Sequence, residues 1–337
     1  MHRFSRRPHW SGTNTVDDKI NIHIHQYIQN SKEETMSWTK VVAITGCDSG
    51  LGWALAARMA REGIITVPGM YNGTATEPSQ ALKNICAHPF KLDVTDSTSV
   101  NEFSEYVKSI VKKNSNYKLY AVINNAGVMT IGDYEWHTPQ IIENTINVNL
   151  LGAMRVVSAF LPDLRKSAQS GVKPRIINVA SHCGLQPLPG FGPYSASKAG
   201  VLAWTKALHM ECIQHDLRAL TFIPGGFVGC SNLLKSQFLN GNAMLEHMNE
   251  EQKALHEKKI RILNNYLKQA SNNTRFDSLN DEKIIETFMK ALTDNNPKKI
   301  YKVESLRYKF YYNLFKLPLP DTIYKSLIKI FLKFPEI

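Results

Sequence analysis

Residues 45–52 read Thr-Gly-Cys-Asp-Ser-Gly-Leu-Gly, between the β-branched run of residues 40–45 (KVVAIT) and an Ala- and Leu-rich stretch, residues 50–62. A short apolar run ending in glycine predicts a strand buried on both faces. The stretch after it has the composition of a helix. The join is therefore a strand–turn–helix unit, with Gly46, Gly50 and Gly52 at the bend. Glycine permits a tight turn and lets the backbone approach a bound group closely. The helix N-terminus adds free N–H groups and a positive dipole end, a setting that suits a pyrophosphate. The spacing is GxxxGxG rather than GxGxxG. Many glycine-rich turns bind nothing, so the position directly after a strand is what gives this one meaning.

Outward from this unit, short strands at residues 64–67, 90–92, 119–124, 175–179 and 217–223 alternate with helices at 97–113, 139–164 and 194–215. That alternation predicts an α/β fold, a doubly wound parallel sheet of the Rossmann type. Beyond Gly226 the pattern changes to two polar-faced helices within residues 231–270, a helix at 284–292 and a last short strand at 300–303. The expected organisation is a disordered extension over residues 1–37, one domain over 38–303 with a helical lid at 231–270, and a basic amphipathic tail over 304–337.

The chain has 337 residues, 43% of them hydrophobic and 20% charged, which suits a folded domain. No stretch approaches ~18 uninterrupted apolar residues, so no spanning helix is expected. The net charge of +11 is partly local: residues 301–337 hold seven Lys/Arg against three acids. No basic stripe with interleaved aromatics crosses the middle of the chain, which argues against nucleic acid as a partner. Cys47, Cys86, Cys183, Cys212 and Cys230 show neither CxxC pairs nor metal-site spacing, and read as free thiols of a reducing compartment, with no metal expected. The N-terminus lacks the apolar core of a secretory signal. Arg3, Arg6 and Arg7 suit a transit peptide, but Asp17, Asp18, Glu33 and Glu34 count against one. The expected location is intracellular, cytoplasmic or peripheral on the endoplasmic reticulum membrane, ahead of mitochondrial.

Charge bears on the choice of cofactor. A 2′-phosphate needs Lys or Arg near the end of the second strand, whereas a free ribose is satisfied by a carboxylate or amide. After Val67 the chain reads Pro-Gly-Met-Tyr-Asn-Gly, with no cation, and Asp48 adds negative charge in the turn. NAD(H) is expected over NADP(H), with Asn72 where an acid is usual; Asn72-Gly73 can equally be a plain turn.

Tyr194-Ser-Ala-Ser-Lys198 sets a phenol and an ammonium four residues apart, on one helix face. The ammonium is expected to lower the phenol's pKa, so that Tyr194 can exchange a proton with a substrate hydroxyl. Ser181 just follows the strand at 175–179, where a hydroxyl would face the ligand crevice of a parallel sheet. Asn124-Asn125-Ala126-Gly127 ends another strand at that crevice. Asn149, inside NVNLLG, sits mid-helix, where Asn is mildly unfavourable, so a buried polar role is expected of it.

Together these motifs, in this order from about residue 40 to 227, resemble the short-chain dehydrogenase/reductase family. The resemblance implies a tetrad of Asn149, Ser181, Tyr194 and Lys198. Tyr194 is then the acid/base and Ser181 orients the carbonyl. Lys198 binds the nicotinamide ribose and Asn149 holds a proton-relay water. The cofactor would be lined by Gly46, Asp48, Ser49, Gly50, Leu51, Gly52, Asn72, Asp93, Val94, Asn125, Ala126, Gly127, Pro224 and Gly225, with Asp93 on the adenine. TGCDSGLG, NVNLLG and the extended C-terminus are similar to the branch of retinol, steroid and hydroxybutyrate dehydrogenases, ecdysteroid synthesis included. His182-Cys183 and Pro68-Gly69 depart from that branch.

The implied activity is interconversion of a secondary alcohol and a ketone on a small lipophilic substrate, a steroid or retinoid. Alternatives are a 3-hydroxybutyrate-type dehydrogenase, which would want anchors such as Gln186 and Lys235, and a catalytically silent dinucleotide-binding scaffold. Leu233, Leu234, Phe238, Leu239, Met244 and Met248 can form an apolar pocket wall or simply pack the lid down. In the tail, Asp321 can cap a helix running to Phe334, with Ile323, Leu327, Ile330, Phe331 and Phe334 on one side and Lys325, Lys329 and Lys333 on another. Such a helix can lie in a membrane interface or dock on the body. A homo-oligomer through the helices at 139–164 and 194–215 is a family expectation.

Overall fold

The computed structural model describes residues 38–226, 231–271 and 275–332. The chain divides into two units, Met1–Trp38 and Thr39–Ile337. The extension expected over residues 1–37 lies outside the described residues, as do Cys230, Lys333 and Phe334.

The larger unit is built on seven parallel strands: β1 (Thr39–Thr45), β2 (Ile65–Met70), β3 (Phe90–Lys91), β4 (Tyr117–Asn124), β5 (Arg175–Val179), β6 (Arg218–Ile223) and β7 (Ile300–Lys302), in the order β3-β2-β1-β4-β5-β6-β7. Val41, Val42, Ala43 and Ile44 are wholly buried, as the unbroken apolar run requires of a central strand. After β3 the chain returns to the far side of β1. This leaves the order reversed between β1 and β4, and the crevice above their carboxyl ends is where a parallel sheet of this kind binds ligands.

The helices are α1 (Gly50–Arg61), α2 (Glu77–Lys83), α3 (Ser97–Lys112), α4 (Pro139–Ile146), α5 (Ala153–Gln169), the single turn α6 (His182–Leu185), α7 (Gly192–Cys212), α8 (Gln237–His247), α9 (Glu250–Ser271), α10 (Glu282–Thr293), α11 (Leu306–Leu314) and α12 (Asp321–Leu332). Asp96 caps α3 by accepting from the amides of Thr98 and Ser99. Thr138 caps α4, with Pro139 in the first turn, where a missing N–H costs nothing. α4 and α5 form one rod, joined by a π turn over Asn147–Gly152. By length and composition alone that rod could cross a membrane, but Val156, Val157, Phe160 and Leu164 hold it in the core against the sheet.

Two expectations need correction. The second strand does not stop at Val67: it continues through Pro68 and Gly69 to Met70, pairing with Ile44 and Thr45 of β1. Gly69 is what allows this, since a Cβ there would fall 2.5 Å from the Leu92 side chain. The tail holds two helices rather than one. α11, with Tyr308 and Tyr312 on its buried side, precedes α12 and forms a hairpin with it: Arg307 donates to the Ile330 carbonyl at 3.2 Å, and Phe315 meets Tyr324 edge-on, with ring centroids 5.3 Å apart.

The lid is pinned by buried polar groups. Gln237 of α8 donates to the Ile131 carbonyl at 2.9 Å and accepts from the Ile131 amide at 2.8 Å. Its amide also donates to Asn264 of α9. Lid and tail then share one apolar cluster with the segment after β4, including Met129, Ile131, Leu234, Met244, Tyr312 and Phe331.

Candidate active site

The turn after β1 is shaped by contacts that leave no room for side chains. Gly46 (φ +70°) would place a Cβ 2.6 Å from the Ala126 Cα, and Gly52 would place one 2.2 Å from the Gly46 carbonyl oxygen. Asn125 fastens the turn to β4: its side-chain amide donates to the carbonyls of Thr45 and Gly46, both at 2.9 Å. Thr45 Oγ1 in turn accepts from the amides of Asn125 and Ala126.

Above this turn lies a cleft of about 660 Å³, within the range of small-molecule sites. Of the residues expected around the cofactor, Gly46, Asp48, Ser49, Leu51, Gly52, Asn72, Asp93, Val94, Asn125, Ala126, Gly127, Pro224 and Gly225 line it, with Ser181, Tyr194 and Lys198. Gly50 does not. Its φ of +56° serves the bend, but its amide donates to the Phe276 carbonyl at 3.0 Å. Asp48 turns back on the end of β2 and accepts from the amides of Tyr71 and Asn72 at 2.8 and 2.9 Å. Asp93 accepts from the amide and hydroxyl of Thr95. A cradle free of Cβ atoms, at a helix N-terminus and opening on a cleft of this size, fits a dinucleotide.

The reactive groups stand at the inner end. Ser181, just past β5, caps α6 by accepting from the Cys183 amide at 3.2 Å, and it lines the cleft with Tyr194, whose ionised form its hydroxyl favours. Tyr194 and Lys198 lie one turn apart on α7, both buried, with the ammonium 5.9 Å from the phenol ring centre. Lys198 Nζ donates to the Val179 carbonyl at 2.9 Å. The expectation that the lysine sets the phenol's acidity is not met in this arrangement. Burial dominates and pushes the Tyr194 hydroxyl up, the Cys183 and Tyr308 groups beside it add to that, and the Ser181 hydroxyl opposes it. Burial likewise pulls Lys198 down, to about 8. The two shifts share their largest cause: a desolvated pocket penalises the charged form of each group.

Asn149 does not line the cleft. The π turn carries its amide beneath it, where Oδ1 accepts from the Val128 amide at 2.8 Å and Nδ2 donates to the Val128 carbonyl and to Ser197 Oγ. Ser197 passes the link on by donating to the Tyr194 carbonyl at 2.7 Å. Both amide protons are thus used within the protein, and Asn149 is a positioning residue between the β4 loop and α7. An irregular turn explains why Asn is tolerated mid-rod.

The substrate side was only half foreseen. Leu233 and Leu239 line the cleft, while Leu234, Met244 and Met248 are buried in packing and Phe238 lies under Lys268. The rest of the wall comes from the tail: Tyr308, Tyr312, Phe331 and Leu332. Tyr308 and Tyr312 stack with centroids 5.6 Å apart, and the His182 ring leans on both. His182 Nε2 lies 3.3 Å from Glu304, which also pairs with Lys302, so the residue after Ser181 ties the tail to the sheet. The four-residue spacing of Tyr308 and Tyr312 is the sequence signal for this wall. Cys47, Cys86, Cys183 and Cys212 are free thiols, and no group of metal ligands occurs among the described residues.

The family model of the short chain dehydrogenases matches residues 40–238. Among curated proteins, the chain is similar to the mitochondrial D-beta-hydroxybutyrate dehydrogenase of Bos taurus, 30% identical over 58% of this chain and 56% of that one. It is similar to retinol dehydrogenase 7 of Rattus norvegicus, 29% identical over 78% of this chain and 80% of that one. The chain spans little more than half the length of the hydroxybutyrate dehydrogenases it matches. Among solved structures, a 3-ketoacyl-(acyl-carrier-protein) reductase from Brucella melitensis, complexed with NADH, superposes with a TM-score of 0.53 at 25% identity, over 59% of this chain and 80% of that one.

Proposed function

The chain belongs to the short chain dehydrogenase family, and on that premise we propose that it is an NAD(H)-dependent oxidoreductase interconverting a secondary alcohol and a ketone on a lipophilic substrate of the steroid or retinoid type. The observation that carries this reading is the meeting of Ser181, Tyr194 and Lys198 at the inner end of a cleft whose outer wall is aromatic and aliphatic.

Gly46, Ser49, Leu51 and Gly52 would hold the pyrophosphate of the dinucleotide, Asp93 and Val94 its adenine side, and Asn125, Gly127 and Lys198 the nicotinamide side. The nicotinamide ring supplies the site that gives or takes hydride. The protein's own residues handle the proton. With its pKa raised by burial, the Tyr194 phenol is protonated at neutral pH and poised to donate to a ketone oxygen as the carbon is reduced, and to take the proton back in the reverse direction. Ser181, which lines the cleft with the same phenol, would orient that oxygen.

NAD(H) is favoured over NADP(H) by the end of β2. The cleft there is lined by Asp48, Tyr71 and Asn72, without Lys or Arg, so a 2′-phosphate would face a carboxylate and no cation. A small hydroxy acid is the weaker reading. Gln186 donates to the Tyr324 hydroxyl at 2.8 Å and does not line the cleft. Lys235 does line it, but lies three residues from Asn232, which donates to Ser49 at the phosphate end. Around Tyr194 the lining is Cys183, Leu188, Phe191, Tyr308 and Tyr312, with Lys198 itself and His182, whose charged form burial disfavours and whose Nε2 faces Glu304. A silent scaffold is disfavoured by the intact reactive groups. We extend the proposal to a homo-oligomer through the rod of α4 and α5 and through α7, where Leu151 in the π turn, Met210 on α7 and Ile213 just past its end are exposed.

The test is steady-state turnover with NAD and NADP on a panel of 3-hydroxysteroids, retinol and 3-hydroxybutyrate. Turnover of a hydroxysteroid or retinol with NAD supports the reading. Turnover confined to 3-hydroxybutyrate overturns the substrate class, and a preference for NADP overturns the cofactor.

A further inference from the structure

The hairpin of α11 and α12 has two apolar faces. The inner one, with Tyr312, Phe315, Ile328 and Phe331, is buried against the body. The outer one exposes Leu306 (87%), Phe310 (63%), Leu317, Ile323 and Ile330. Leu306, Phe310, Leu314 and Leu317 line a shallow furrow there. The expected helix face is thereby divided: Phe331 turns inward, whereas Ile323 and Ile330 stay in solvent. Exposed aliphatic and aromatic groups gathered in 25 residues of sequence mark an interaction surface rather than chance exposure.

Charge identifies what covers it. From 305 to 332 there are five basic side chains (Arg307, Lys309, Lys316, Lys325, Lys329) and one acid, Asp321. A second copy of the same face would bring like charges together. Residues 1–37 hold five basic and four acidic side chains, so they offer no complementary charge either. Apolar groups interleaved with lysines on an amphipathic helix suit the interface of an anionic bilayer.

We propose that the outer face of this hairpin lies in the headgroup region of a negatively charged membrane, with Leu306, Phe310 and Leu317 inserted and Lys325 and Lys329 on the lipid phosphates. The same hairpin supplies Tyr308, Tyr312, Phe331 and Leu332 to the cleft. A lipophilic substrate would then pass from bilayer to active site along one structural element. That last step rests on the proposed substrate class; the membrane contact does not.

The experiment is flotation of the full chain with phosphatidylcholine vesicles, with and without about a third phosphatidylserine, at low and high salt. It needs no substrate, so its failure is separable from failure of the catalytic reading. The expected result is binding at least tenfold tighter to the anionic vesicles and weakened by salt. Phe310→Ser with Leu317→Ser, and separately Lys325→Glu with Lys329→Glu, should each weaken it about tenfold, with thermal melting unchanged. No binding to either vesicle overturns the proposal. So does binding that both double variants retain, or a concentration-dependent dimer that Phe310→Ser with Leu317→Ser abolishes in a chain that ignores vesicles.

Discussion

The sheet, with its first turn, and the C-terminal third of the molecule solve different problems. Residues 39–226 hold the reactive groups on a parallel sheet, where strands are fixed by their neighbours and most site residues stand at a strand end or in the first two turns of a helix. Residues 231–332 close the other side of the cleft with helices held by side-chain packing and a few buried amides. The first region sets the chemistry, and the second sets what is offered to it. Substitutions in the first should therefore abolish turnover of every substrate, whereas those in the second should change which substrate is accepted.

The largest effect is expected from the turn. Gly52→Ala puts a methyl 2.2 Å from the Gly46 carbonyl oxygen, beside the Asn125 amide that holds it. Backbone must move, and dinucleotide binding should weaken by more than about a hundredfold, read by fluorescence titration with NADH. Lys198→Met should abolish turnover while leaving melting no lower than in the parent, because it removes an ammonium held at a cost in a desolvated site. A lowered melting temperature would mean that the bond to Val179 contributes more than burial costs.

The pH dependence follows from the same residue. The folded-state pKa of Lys198, about 8, is below its unfolded value, so between these two the unfolded chain binds more protons and the group's contribution to stability rises with pH. Below pH 8 the lysine is charged in both states and its burial penalty is fully present. Turnover that needs the ammonium should decline above about pH 8, and Lys198→Arg should remove that decline even if overall activity is low. In the C-terminal region, Tyr308→Ala with Tyr312→Ala should raise KM for a polycyclic alcohol by roughly tenfold or more, with kcat on a small secondary alcohol changed far less. Equal losses on both would erase the proposed division between the two regions. The smallest effect is expected of Glu304→Gln, which weakens a largely buried tie between the tail and His182 but leaves an amide oxygen to replace the carboxylate, and should cost about 1 kcal/mol.

The division also explains what could be read from the sequence. β5, reading RIINV, was legible to the residue as a short β-branched segment bounded by Pro174 on one side and Ser181 just beyond the other. The order of motifs from Gly46 through Tyr194 to Lys198 placed the cleft, since strand ends and helix starts are local features. Pro68-Gly69 misled because proline and glycine usually end strands, and the packing of Gly69 on Leu92 is a tertiary fact. Asn149 was rightly expected to be buried, but its partners Val128 and Ser197 lie 21 and 48 residues away. The fate of Gly50, whose amide goes to Phe276, depends on a segment more than two hundred residues downstream. α11 was missed altogether: its pattern mixes exposed Leu306 and Phe310 with buried Tyr312, and helical periodicity cannot separate two apolar faces that have different partners.

The central claim is that Tyr194 transfers the substrate proton. The most direct measurement is the rate of NADH formation by the parent chain and by Tyr194→Phe on a hydroxysteroid that the parent oxidises, with NADH affinity measured alongside. The account predicts a fall of about a thousandfold in kcat for Tyr194→Phe, with NADH bound as tightly as before. Turnover retained within about tenfold of the parent, with the cofactor still bound, would contradict it.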